Sequence, residues 1–158
     1  MAEFDQYLVF KVEDERLAIN INKVSEIVKN VDITKLRTKS KSLEGIVNIR
    51  NSVMPVINFK QILFDNRTYA EPLFVIVQLF KLGEQVAFMV DEVIEVTVIP
   101  EDIIDTPSML VNNANGFVIG VGKLEKGLTV IVDVDRILSE KEVAALKRMK
   151  DKVSSEDH

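Results

Sequence analysis

The chain contains no cysteine and no tryptophan, one histidine, six glycines and four prolines in 158 residues. Each shortage excludes a kind of chemistry. Without cysteine there are no disulfides, no thiolate nucleophile and none of the commonest zinc sites. The histidine is the final residue, His158, where a terminus frays. Acyl-transfer triads, imidazole acid–base catalysis and histidine-ligated metals therefore lack their side chains. No apolar run approaches the ~20 residues that cross a bilayer, and the opening Met1 to Asp5 lacks the basic end of a secretory signal. A cytoplasmic protein with no direct membrane insertion is expected. The net charge of −5 argues against a nucleic-acid partner, because phosphate is normally met by a positive surface. One local exception exists, where Lys35, Arg37, Lys39 and Lys41 alternate downstream of Lys29. No aromatic residue interleaves them to stack on bases, so this segment reads as a solvated loop, with docking on an acidic partner as the alternative.

What is present is a repeat. The segment from Gly45 to Leu63 returns without a gap from Gly120 to Leu138. Each copy starts at a glycine, runs through a short apolar strand to a polar pair (Asn51-Ser52, Lys126-Gly127), and returns through β-branched residues to Ile-Leu. That pattern is a β-hairpin signal. A second echo aligns Ala18 to Ile27 with Ala87 to Val96, keeping Ala, Val and Glu in place. Two echoes in the same order indicate an internal duplication.

Gln6–Val12 and Arg16–Ile21 read as a hairpin about Glu13-Asp14-Glu15, and Val24–Val28 as a short helical turn passing into a strand. Phe59–Phe64 reads as a short helix. The polar stretch Asp65–Pro72 is the best boundary between halves. Leu73–Phe80, a turn at Lys81–Glu84, Gln85–Val90 and Val93–Ile99 repeat the opening, and Pro100–Ser108 through Asn112–Asn115 is a long surface loop. Ser139 and Glu142 form a capping box before a C-terminal helix with Val143, Leu146 and Met149 on one face. A hydrophobic share of 47% is enough for a real core. The expected fold is mainly β: two small five-stranded barrels packed on each other, with short helices and a C-terminal helix. The whole of 1–158 is one folding unit, with approximate subdomains 1–70 and 71–150 whose strands are free to cross over, and a loose tail at 151–158.

Few residues invite chemistry. Asp133 and Asp135 stand two apart at a strand end, a spacing that could ligand a divalent metal or serve as acid and base. The stronger reading makes Asp133 the cap of a following helical segment, with Asn58 as its counterpart in the first copy. Gly116 to Gly122 has the wrong spacing for a nucleotide loop, and its glycines read as a bulge, a barrel corner or a close backbone approach. Arg50, at the tip of an apolar strand beside Asn48, fits either an internal pair or a binding surface. Pro55 cannot donate a ladder bond and marks its strand as an edge or bulged.

Gly45-Ile-Val-Asn-Ile-Arg50, the turn, Pro55-Val-Ile-Asn-Phe59 and the closing Leu124 to Leu138 resemble the CheW family of chemotaxis coupling proteins, over nearly the whole chain. The resemblance implies two SH3-like five-stranded barrels with an apolar core between them, no catalysis and no cofactor. It implies two partners, the regulatory domain of the histidine kinase CheA and the cytoplasmic tip of methyl-accepting chemoreceptors, and hence recruitment to membrane receptor arrays. The family's kinase-binding surface maps to Gly45, Asn48, Arg50 and Asn51, and its receptor-binding surface to Val24, Glu26 and Ile27. Two positions depart from the family pattern: Asn51 replaces the usual Gly, and Asn58 the usual Asp. Asn tolerates positive φ, so the turn is expected to survive. A related scaffold serving another array, such as one for surface motility, and a small metal-dependent enzyme using Asp133 and Asp135 are the competing readings.

Overall fold

A computed structural model describes residues 6–36, 42–66, 68–79, 83–108 and 116–156, the last eight of these as backbone only. Arg37, Lys39, Lys41, Phe80, Lys81, Leu82, Asn112 to Asn115 and His158 lie outside the described residues, as does the side chain of Met149. The strands are β1 (Gln6–Val12), β2 (Glu15–Asn20), β3 (Val24–Lys29), β4 (Thr34–Lys35), β5 (Leu43–Ile49), β6 (Ser52–Asn58), β7 (Leu73–Leu79), β8 (Glu84–Val90), β9 (Glu92–Val98), β10 (Ile104–Asp105), β11 (Val118–Leu124) and β12 (Gly127–Val132). Among the described residues two α-helices accompany them, α1 (Phe59–Phe64) and α2 (Glu140–Glu156), with one-turn helices at Ile21–Lys23, Glu101–Ile103 and Val134–Arg136.

The strands form two sheets, ordered β10-β11-β12-β2-β1-β9 and β3-β7-β8-β6-β5-β4. Each therefore has five full strands and a two-residue edge, in line with the expected five-stranded units. The duplication is physical. The two sheet orders and the sequence repeats match β5-β6 with β11-β12, β8 with β2, β7 with β1 and β3 with β9. The same bulge interrupts both hairpins, between Leu43 and Gly45 and between Val118 and Gly120. The same parallel ladder follows, pairing Val56 with Ala87 and Ile131 with Ala18. Asn58 donates its backbone N–H to Ser42 (2.7 Å) where Asp133 donates to Phe117 (2.8 Å).

The sheets do not divide the chain at residue 70, because β1 and β2 sit with β9–β12 while β3–β6 sit with β7 and β8. Each half is split between the sheets after its opening hairpin: β1-β2 joins the last four strands of the second half, and β7-β8 the last four of the first, through the pairings of β1 with β9 and β7 with β3. The local hydrophobic pattern makes a strand but does not choose its neighbour.

Three apolar clusters result. The largest, with Phe10, Phe59, Phe88, Leu8, Leu17 and Val132, lies between the sheets. Smaller ones fill the individual barrels, around Val47, Met54, Phe74 and Ile76 in one and Val9, Ala18, Ile99 and Ile131 in the other. Strands β1, β7 and β8 serve an inter-sheet and an intra-barrel cluster with alternate residues, so they read as unbroken apolar runs. Phe59 packs on Phe10 at 5.6 Å and on Phe88 at 5.4 Å between centroids, tying both sheets to α1.

Several local expectations shift. The two-residue turns fall one position earlier than read, at Arg50-Asn51 and Glu125-Lys126, because Ser52 and Gly127 already pair as strand residues. Arg50 and Asn51 take positive φ (53° and 68°), as that hairpin turn demands, and in the second hairpin Gly127 carries it at φ 137°. Pro55 does not mark an edge. Strand β6 lies between β5 and β8, but its ladder with β8 begins at Val56, so the missing N–H leaves nothing unpaired on that side. The basic segment and the Asn-rich loop each contain a short edge strand, β4 and β10, which the sequence reading placed in loops. Gly45 is buried beneath β4, where a Cβ would meet the Thr34 carbonyl oxygen and lie 2.9 Å from Ile33 Cγ2. Helix α2 runs through Glu156, past residue 151 where a loose tail was expected, because no Gly or Pro interrupts it. Its capping box is formed, with Glu142 N–H donating to Ser139 Oγ (3.2 Å) and Ser139 N–H to Glu142 Oε1 (3.2 Å).

Candidate functional site

The hairpin tip after β5 and the strand β3 meet. Arg50 Nη2 lies 3.1 Å from Glu26 Oε2. These residues belong to opposite ends of the sheet order, β3 at one edge and β5-β6 near the other, so the pair closes the sheet into a barrel. The resemblance put Arg50 on a kinase-facing surface and Glu26 on a receptor-facing one; here the two join. Arg50 is 81% exposed and Glu26 26%, which makes the contact a clasp at the surface rather than a buried ion pair.

Asn48 and Asn51 are exposed around Arg50, and Val53, paired with Asn48 across the hairpin, is a 40% exposed apolar residue. Ile27, next to Glu26, is 42% exposed. Val24 is half-buried, pairs with Val77, and packs against the inter-sheet core. Gly45 stands apart. Buried and covered by β4, it has no surface of its own and holds the strand that carries Asn48 and Arg50.

The other barrel repeats the clasp. Lys126, at the tip of the second hairpin, lies 3.4 Å from Glu95 Oε2, and Glu95 is the repeat counterpart of Glu26. Exposed apolar residues follow the same symmetry, Leu128 matching Val53 and Val96 matching Ile27. The preserved Glu in the shorter echo was the signal for both clasps, but a single echo does not reveal what the glutamates touch.

A second pair of contacts pins the two crossings between sheets. Where β8 passes to β9, Asp91 accepts from Lys60 Nζ (3.0 Å) and from the Glu13 backbone (2.6 Å). Lys60 is itself buried, donates to the Thr68 carbonyl (2.8 Å), and lies 4.2 Å over the Tyr69 ring. The Tyr69 hydroxyl donates to Met89 O (2.7 Å), and burial pushes its pKa well above the usual value. Where β2 passes to β3, Lys23 pairs with Asp135 at 2.9 Å. Asp135 is the repeat counterpart of Lys60, but Lys23 matches Glu92 rather than Asp91, so the second crossing carries an ion pair of opposite polarity displaced by one residue.

Asp133 and Asp135 are thereby accounted for. Strand β12 ends at Val132, and Asp133 caps the next turn, accepting from Asp135 N–H at 3.0 Å with Arg136 Nε at 3.4 Å. The capping reading is the one realised, and Asn58 does the same for α1, accepting from Gln61 N–H at 3.0 Å. Among the described residues no group of three or more His, Cys, Asp or Glu is placed to hold a metal ion.

A family model described as a CheW-like domain matches residues 6–142. The chain is 29% identical over 142 residues to the chemotaxis protein CheW of Klebsiella aerogenes, covering 88% of this chain and 84% of that one. It is 29% identical over 150 residues to CheW of Thermotoga maritima, covering 89% and 91%. The crystal structure of the scaffolding protein TtCheW from Thermoanaerobacter tengcongensis matches with a TM-score of 0.77 at 29% identity, over 87% of this chain and 96% of that one. The interleaved pair of SH3-like barrels and the match across residues 6–142 make this chain a member of the CheW family, a chemotaxis adaptor.

Proposed function

We propose that the chain couples the cytoplasmic tip of methyl-accepting chemoreceptors to the regulatory domain of the histidine kinase CheA, with no catalysis of its own. Asn48, Arg50 and Asn51, on a strand positioned by Gly45, form the kinase-facing surface. Val24, Glu26 and Ile27 form the receptor-facing one. The observation that carries this reading is the Arg50–Glu26 clasp, which makes the two surfaces neighbours, so an event on one is felt by a residue of the other. Exposed Ile27 and Val53 beside it supply the apolar area that a modest signalling interface needs. No helix among the described residues is long and apolar enough to cross a membrane, so residence at a receptor array would come through the partners.

The test is a pull-down with a receptor tip fragment and a kinase regulatory domain, separately and together. Both are expected to bind singly and to assemble a ternary complex. Glu26→Lys should weaken the receptor fragment, and Arg50→Ala the kinase domain, with the fold intact. If neither fragment binds the parent chain, the reading is lost.

A further inference from the structure

The two barrels differ at one point where the repeat should make them alike. In the barrel containing β8, the cross-strand pair at the open end is Gln78 opposite Gln85, and Gln85 Nε2 donates to Ser25 Oγ at 2.7 Å. A cleft of about 300 Å³ opens there, lined by Ser52, Val53, Gln78 and Gln85 among others. The counterparts in the other barrel are Lys11 opposite Arg16. Two cations thus occupy directly opposed positions on one face, an arrangement that repels.

The residue matching Ser25 is Ile94, which offers no acceptor. Arg16 Nε donates to buried Thr129 Oγ1 at 3.3 Å, while its Nη2 is buried with no hydrogen-bond partner among the described residues. The side chain lies along Gly127, whose missing Cβ would stand 3.6 Å from Arg16 Cδ. Glu92 stands opposite Lys11 on β9, but among the described residues no ion pair forms with it or with Arg16. An unsatisfied guanidinium nitrogen out of water is costly, and the residue immediately beside this position, Leu128, is 67% exposed.

We propose that this end of the barrel is a docking site for a protein segment that presents a carboxylate beside an apolar side chain. Arg16 swings off Gly127 to meet the carboxylate, Lys11 adds to its field, and Leu128 receives the apolar group. The site lies on the hairpin tip opposite to the Arg50 surface by the internal symmetry, so it is separate from the two surfaces assigned above. Its occupancy does not depend on which of those partners binds.

The experiment is an NMR titration of the full chain with two blocked tripeptides, acetyl-Leu-Glu-Leu-amide and acetyl-Leu-Gln-Leu-amide. The Glu peptide should move the Arg16 Nε–H, Gly127, Leu128 and Thr129 resonances, with an affinity about tenfold above that of the Gln peptide. Arg16→Met should abolish that difference while leaving Tm unchanged or raised by about 2–4 °C, because it removes a buried unpaired group. Equal responses to the two peptides, no response, or a lower Tm for Arg16→Met would overturn the proposal, the last by showing that Arg16 is a structural prop.

Discussion

Replacing Arg50 separates a structural role from a binding role, because the structure assigns the residue opposing contributions to stability. Its ion pair with Glu26 is 3.1 Å long, but the guanidinium is 81% exposed, so the pair contributes about 0.5 kcal/mol. Against this, Arg50 holds φ at 53°, a left-handed conformation that costs a non-glycine residue about 1 kcal/mol. Arg50→Ala keeps the Cβ and loses only the pair, for a Tm drop of about 1–2 °C. Arg50→Gly also relieves the backbone and should melt at or slightly above the parent temperature. Calorimetric melts of both variants, with Glu26→Gln and the double variant completing a cycle, give the coupling directly. It should fall below about 1 kcal/mol and shrink further in 1 M salt. If Arg50→Ala lowers Tm by more than about 8 °C, or if Arg50→Gly is the worse of the two, the clasp is not a surface contact and the argument fails.

The inter-sheet crossings behave differently. Asp91→Ala strands the buried Lys60 ammonium and should cost about 3 kcal/mol in urea unfolding, most of it recovered in the Lys60→Met/Asp91→Ala double variant. Gly45→Ala forces the new methyl into the Thr34 carbonyl and should cost about 1–3 kcal/mol, with accelerated hydrogen exchange in β4 as the local signature. Burial raises the Tyr69 phenol above its model-compound value of 10.0, so its contribution is complete below that pH and declines as pH rises above it, where the unfolded chain ionises first. Urea melts at about pH 9 and pH 11 should show a smaller loss of stability in Tyr69→Phe than in the parent chain.

Much of this was legible beforehand. Alternation and turn residues located the long strands, the capping box at Ser139 and the capping roles of Asn58 and Asp133, since each depends on neighbours in sequence. The gap-free repeat from Gly45 announced a symmetry that the bulges at Leu43 and Val118 make literal. What stayed hidden depends on distant partners. Nothing within β3 says that it pairs with β7 rather than with β2, nor that Glu26 reaches Arg50. Strands of two residues, such as β4 and β10, carry no periodicity to detect. Pro55 misled because a proline forbids one hydrogen bond, not a whole strand, and the ladder here starts one residue later. Gly45 read as part of a contact surface when its role is to let another backbone pass over it.

The exchange of the opening hairpins, β1-β2 and β7-β8, between the two sheets has a consequence for where such an architecture comes from. A half-length ancestor comprising one copy of the repeat would carry a hairpin with no place in its own barrel, and would be complete only when a second identical chain supplied the missing one. Fusion of two such chains turns an obligate symmetric dimer into a single chain whose two barrels are free to diverge. The Gln78-Gln85 and Lys11-Arg16 rows show how far that divergence has gone.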